Sequence, residues 1–194
     1  KPFSEPKVSM QNSAIHFNPL ALKFFSLGHR SFTANLLWIE TLIKSDLSHY
    51  ASRDLNNWMY LRFYNISYLY PKFKEVYIFG GQYLAIIKDD PLAAVALLKK
   101  GFQIFPEDYQ INFLLGFIYY YELKNNKNAL TYLDKIKFYP EAPYFLPSLT
   151  AKIKAHQNQK EDALLILQEA YNKAPEGSFI KDFYAQKIEK LKNN

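Results

Sequence analysis

Cysteine is absent from the 194 residues, so the chain can build neither a disulfide framework nor a thiolate metal centre. Glycine is scarce, with six in all, and none falls in the patterns that cradle phosphates or open a nucleophile elbow. Gly-x4-Gly-Lys-Ser/Thr, Gly-x-Gly-x2-Gly, Gly-x-Ser-x-Gly and His-Glu-x2-His are all missing. The four histidines, His16, His29, His49 and His156, are dispersed. Only Asp46, His49 and Asp54 stand near one another, around an expected interhelical turn where such residues cap helices or face water. Asp89-Asp90 reads as a helix start and not as a catalytic pair. No catalytic site, metal or cofactor is therefore expected. No apolar run reaches the ~18 residues needed to span a bilayer as a helix.

Arginine is also sparse: Arg30, Arg53 and Arg62 are the only ones among 24 basic residues. Phosphate and base-edge recognition favours the guanidinium fork, and no Lys/Arg run of five exists. The net charge of +6 divides into +4 over residues 1–72, 0 over 73–150 and +2 over 151–194 (8 basic and 4 acidic groups, then 8 and 8, then 8 and 6). Such a spread describes a lysine-rich solvated surface, and nucleic acid is not an expected partner.

What the chain does have is a period. Pro71, Pro106, Pro140 and Pro175 are separated by 35, 34 and 35 residues. Self-similarity at that interval marks a stacked helical repeat. Other positions keep step. Ala94, Leu98 and Gly101 precede Pro106 as Ala163, Leu167 and Ala170 precede Pro175, and Ala129, Leu133 and Ile136 precede Pro140. Met59, Phe63 and Ile66 form a degenerate copy before Pro71. Gly81, Gly116 and Ala151, spaced 35 apart, put small residues where two helices must nearly touch. Within the second unit, Ala94, Leu97, Leu98 and Gly101 form an apolar strip against a wetter face carrying Leu92, Val95, Ala96, Lys99 and Lys100. Asp90-Pro91 supplies an N-cap and a first-turn proline, and Glu161 and Asp162 place acids at the start of a later helix.

With Leu115-Gly116-x2-Tyr119, then Ala129-x3-Leu133, then Pro140, the chain resembles the tetratricopeptide repeat family, whose pattern runs Trp-x2-Leu-Gly-x2-Tyr, Ala-x3-Phe, Pro. The likeness covers about residues 73–175 and weakens over 30–71. It implies an all-α, right-handed superhelix of about four antiparallel helix pairs, over 30–71, 73–106, 108–140 and 143–175. A helix over 178–193 would cap the stack, with Phe179, Phe183, Ile188 and Leu191 inward. Residues 1–18 form a polar N-terminal segment, and 19–194 a single helical-repeat domain.

Matched through Gly81, Gly116 and Ala151, the family's groove-lining positions fall on Ile78, Gln82 and Ala85, on Phe113, Phe117, Tyr120 and Tyr121, and on Ser148, Lys152 and His156. Three consecutive tyrosines, Tyr119 to Tyr121, cannot all face one core, since residues on a helix step by about 100°. The resemblance implies a non-catalytic module that holds a peptide or protein partner in this groove. Arg30, Trp38, Trp58 and Arg62 form a second candidate contact surface; in the structural alternative Arg53-Asp54 and Arg62 pair with Asp46 or Glu40 and fix this helix pair against its neighbour. The stretch Leu27 to Trp38 also resembles the segment that follows an N-terminal anchor in tetratricopeptide proteins of Gram-negative bacteria. That likeness implies a tether through an upstream segment and repeats at the periplasmic face of the inner membrane. A cytoplasmic adaptor, a self-assembling structural protein and an enzyme with a dispersed site are the alternatives.

Overall fold

The computed structural model describes residues 18–44 and 56–193; Asp46, His49, Arg53, Asp54 and the polar segment before Asn18 lie outside the described residues. Every regular element described is helical. The chain divides into two compact units, Lys1–Ile118 and Tyr119–Asn194. The first holds α1 (Pro19–Phe25), α2 (Arg30–Lys44), α3 (Asn56–Leu69), α4 (Lys74–Gln82), α5 (Pro91–Ile104) and most of α6 (Tyr109–Tyr121). The second holds the end of α6 with α7 (Asn126–Ile136), α8 (Leu146–His156), α9 (Lys160–Lys173) and α10 (Phe179–Asn193).

Punctuation in the sequence sets these bounds. The Asp90 carboxylate accepts the Ala93 N–H at 3.0 Å, with Pro91 in the first turn of α5. Asn18-Pro19 repeats the device at α1, where the Asn18 side chain accepts the Leu20 N–H at 2.8 Å. Glu161 and Asp162 occupy the first turn of α9, favoured by the positive helix end. Helices α3, α5, α7 and α9 each end a few residues before one of the four periodic prolines, which cannot continue a helix.

In the first unit α2 packs on α3 and α4 on α5. Contact between α4 and α5 requires glycine: a Cβ on Gly81 would lie 2.6 Å from Leu98, and one on Gly101 would lie 2.7 Å from the ring of Tyr77. Ala94, Leu97 and Leu98 are buried on the same face. Val95, placed on the wetter face by its spacing, is fully buried too, and Leu92 alone of that set's large apolar residues stays exposed. α4 runs on into a π-helical turn, Tyr83–Ile87.

The repeat also carries a polar signature that its apolar pattern conceals. Tyr77 Oη donates to the Pro71 carbonyl at 2.9 Å, and Asn112 Nδ2, 35 residues on, donates to the Pro106 carbonyl at 2.9 Å. Each ties a turn-forming proline to the first helix that follows it. Lys74 and Asp108, also one repeat apart, form an ion pair at 2.9 Å, which raises the Lys74 pKa. Burial pushes the Tyr77 phenol up to about 12, because the tyrosinate would lose its water. Its folded pKa thus exceeds the unfolded value of 10.0, so the native state holds the proton longer. Stability from this group is full below pH 10 and falls as the pH rises through 12. Tyr77→Phe should flatten that alkaline decline in a pH series of denaturation curves, and should cost about 0.5–1.5 kcal/mol at neutral pH for the lost hydrogen bond. An equally steep alkaline decline in the variant would show that Tyr77 is not the group responsible.

The second unit centres on Ala151, Ala163, Ile166, Leu167, Ala170, Ala174 and Tyr184, with Phe138, Ala155, Ile180, Phe183, Ile188 and Leu191 packed around them. Ala151, on α8, and Leu167, on α9, are buried in this one cluster. α10 packs on α9, with Tyr184 buried and Ile180, Phe183, Ile188 and Leu191 half-buried around it. That differs from the expected stripe: Phe179 is 70 % exposed and Tyr184 takes the buried place, its hydroxyl donating to the Tyr144 carbonyl. The burial raises the Tyr184 pKa to about 12.

Candidate functional site

The candidate groove residues fall in two places. On α6, Tyr109, Phe113 and Phe117 form a ladder one helical turn apart, with rings stacked at 5.7 and 5.8 Å. Phe113 is half-buried and Phe117 is 37 % exposed. On α4, Ile78 is half-buried and Gln82 exposed. Of the tyrosine triplet, Tyr119 is buried and stacked on Tyr132 at 5.9 Å, Tyr120 is half-buried, and Tyr121 is exposed.

Lys152 and His156 come together in the second unit, on one wall of a cavity of about 520 Å³. Spacing on α8 builds that wall: Ser148, Ala151, Lys152, Ala155 and His156 follow the three- and four-residue steps of one helix face. α10 supplies Lys187, Lys190 and Leu191 by the same rule, while α9 supplies Lys160 from its first turn and Leu167. The floor is apolar, formed by Ala151, Ala155, Leu167 and Leu191. Four lysines and a histidine share the lining with it, and no carboxylate does. Lys154, two residues from Lys152, shows the contrast: its ammonium sits 3.7 Å from both Asp134 and Asp162. No ion pair with a described residue engages Lys152, Lys160, Lys187 or Lys190. The Lys187 ammonium lies 5.1 Å from the centre of the Phe183 ring, a cation–π contact.

Groove spacing on α8 marks Ser148, Lys152 and His156. Lys187 and Lys190 lie on a terminal helix whose polar face the pattern assigns only to solvent, and the packing of α10 on α9, which brings them to the cavity, is tertiary.

The second set of candidates packs inward for the most part. Trp38 sits among Phe63, Phe73 and Phe79, with ring centres 6.1, 5.4 and 5.2 Å away. Arg62 is only 4 % exposed; its guanidinium lies 2.8 Å from Glu40 and 5.2 Å from the Trp58 ring centre. Arg30 is exposed at the start of α2. The outward apolar residues at this end are others, Phe32, Leu36, Ile39 and Ile43 along α2, and Phe24 and Phe25 on α1. Their helical spacing is visible in the sequence, but spacing alone reads as a core face. Among the described residues no group of three His, Asp or Glu side chains is placed to hold a metal ion, and no helix is long and apolar enough to cross a membrane. No family model, curated protein or solved structure matches the chain.

Proposed function

We propose that the chain is a non-catalytic, tetratricopeptide-like binding module that holds a peptide or protein partner, and that the cavity walled by α8 and α10 is where it does so. One observation carries the reading: Lys152 and His156, picked out by the groove positions of the repeat, line a cavity whose lysines have no acidic partner among the described residues. Its volume of about 520 Å³ lies within the ~300–1,000 Å³ of ordinary binding pockets. An apolar floor under polar groups is the arrangement that buries a side chain while fixing its orientation. The resemblance of Leu27 to Trp38 supports a tethered scaffold at the periplasmic face of the inner membrane, with a cytoplasmic adaptor as the other reading.

A photo-crosslinking amino acid at position 148 tests the proposal in cells that express the protein. Irradiation should yield an adduct with a second polypeptide, whereas the same group at Leu165, exposed on α9, should yield none. If position 148 gives no protein adduct, or position 165 gives the same one, the cavity is not the partner site.

A further inference from the structure

The lining of the α8/α10 cavity also says what kind of segment it accepts. We infer that its occupant is an acidic peptide segment carrying one aliphatic or aromatic anchor, with the anchor on the apolar floor and its flanking carboxylates on the lysines. This inference rests on the reading of the cavity as the partner site. Four lysines, Lys152, Lys160, Lys187 and Lys190, share one cavity rim with no carboxylate among them. Like charges gathered in this way raise the local potential, and carboxylates of an incoming chain relieve it. Beneath them Ala151, Ala155, Leu167 and Leu191 leave room for an apolar side chain but offer it no hydrogen bond. Charge and floor together ask for a ligand that is both anionic and apolar.

Other anions fit less well. Residues 119–194 contain no arginine, so the planar fork that grips phosphates in two places is missing from this unit. No Phe, Tyr or Trp lines the cavity, which leaves the His156 imidazole as the one ring of the lining on which a nucleic-acid base could stack. Lys160 on α9 and Lys187 and Lys190 on α10 line one cavity from separate helices, a concave arrangement that suits an entering chain better than a flat layer of lipid headgroups. Ammonium groups on flexible stems tolerate carboxylates in several positions, as a mobile acidic segment requires.

The test uses the intact protein and a short fluorescent peptide with a central leucine flanked by glutamates. Its comparators carry glutamine for each glutamate, or serine for the leucine. Polarisation titrations should show the acidic, leucine-bearing peptide binding about ten-fold or more tightly than either comparator, with an affinity that falls as salt rises. The double variant Lys152→Glu with Lys187→Glu should lose this binding while keeping the parent circular dichroism spectrum. In the same variant a peptide bearing lysines for glutamates should gain binding. Equal binding of the glutamate and glutamine peptides by the wild type overturns the inference without any variant. So does displacement of the peptide, at equal charge concentration, by a single-stranded oligonucleotide, inorganic polyphosphate or anionic phosphatidylserine vesicles. A protein adduct at position 148 together with equal binding of the two peptides leaves the partner site standing and sinks only its acidic specificity.

Discussion

Phe63→Ala should lower the stability of the chain by about 3–5 kcal/mol, the range for emptying a large aromatic from a packed core. Phe63 is fully buried on α3, and its ring centre lies 6.1 Å from Trp38, 6.3 Å from Phe79 and 6.4 Å from Tyr83. The backbone of α4 closes the site from another side: a Cβ on Gly80 would stand 3.0 Å from the same ring. Three rings, on α2, on α4 and on the π-helical turn that continues α4, therefore lose a common neighbour at once, and rigid helices cannot collapse to fill the gap. Edge-to-face contacts add to the loss beyond buried area, by about 0.5–1.5 kcal/mol per pair. Chemical denaturation of the variant measures the effect, with Ile86→Ala as its control. Ile86 is 74 % exposed, so that change should stay within about ±0.5 kcal/mol. A loss below ~1 kcal/mol for Phe63→Ala would mean that the aromatic cluster relaxes around the cavity.

The same cluster explains why part of the fold is legible in the sequence and part is not. Ala94, Ala129 and Ala163 keep step with the prolines and are all fully buried, because close helix packing leaves room there for nothing larger. Gly81 and Gly101 are legible for the same reason. Their recurrence is a steric demand written as residue size. α1 carries an Asn-Pro start equivalent to the Asp-Pro start of α5, but spans only Pro19–Phe25, too few turns to show a period. On α10 the spacing admits two stripes. Packing against α9 selects the one through Tyr184, leaving Phe179 in the first turn, beside exposed Tyr144. Trp38 and Arg62 carry the side chains that most often dominate interfaces, yet they serve the inner packing of α2 on α3. A residue type signals the strength of a contact, and only the fold says with whom it is made. The cavity follows the same division. Position along α8 points to Lys152 and His156, while Lys187 and Lys190 join them only because α10 folds back over α9.

Gly101→Leu should cost more than the ~1–3 kcal/mol usual for overpacking, even though glycine is the poorer helix former. Two effects oppose each other at this site. Replacing a glycine inside α5 gains roughly 1 kcal/mol of helix propensity. Against it, the first added carbon would lie 2.7 Å from Tyr77 Cγ and 2.8 Å from its Cβ, closer than carbon atoms approach without something moving. The obstacle is the root of a buried ring, not the free end of a flexible chain, and the ring is held by its hydroxyl to the Pro71 carbonyl. Sterics therefore win, and the melting midpoint should fall with Gly101→Ala and fall further with Gly101→Leu. Truncating the obstacle supplies the decisive comparison. Tyr77→Ala is destabilising alone, but it removes the ring that the new side chain would strike. In a double-mutant cycle, Gly101→Leu should then cost less in the Tyr77→Ala background than in the wild type, a coupling of about 0.5–3 kcal/mol. Additive losses would show that Gly101 is required for some contact other than Tyr77. A rise in the midpoint for Gly101→Ala would show that α4 and α5 stand further apart than their glycines require.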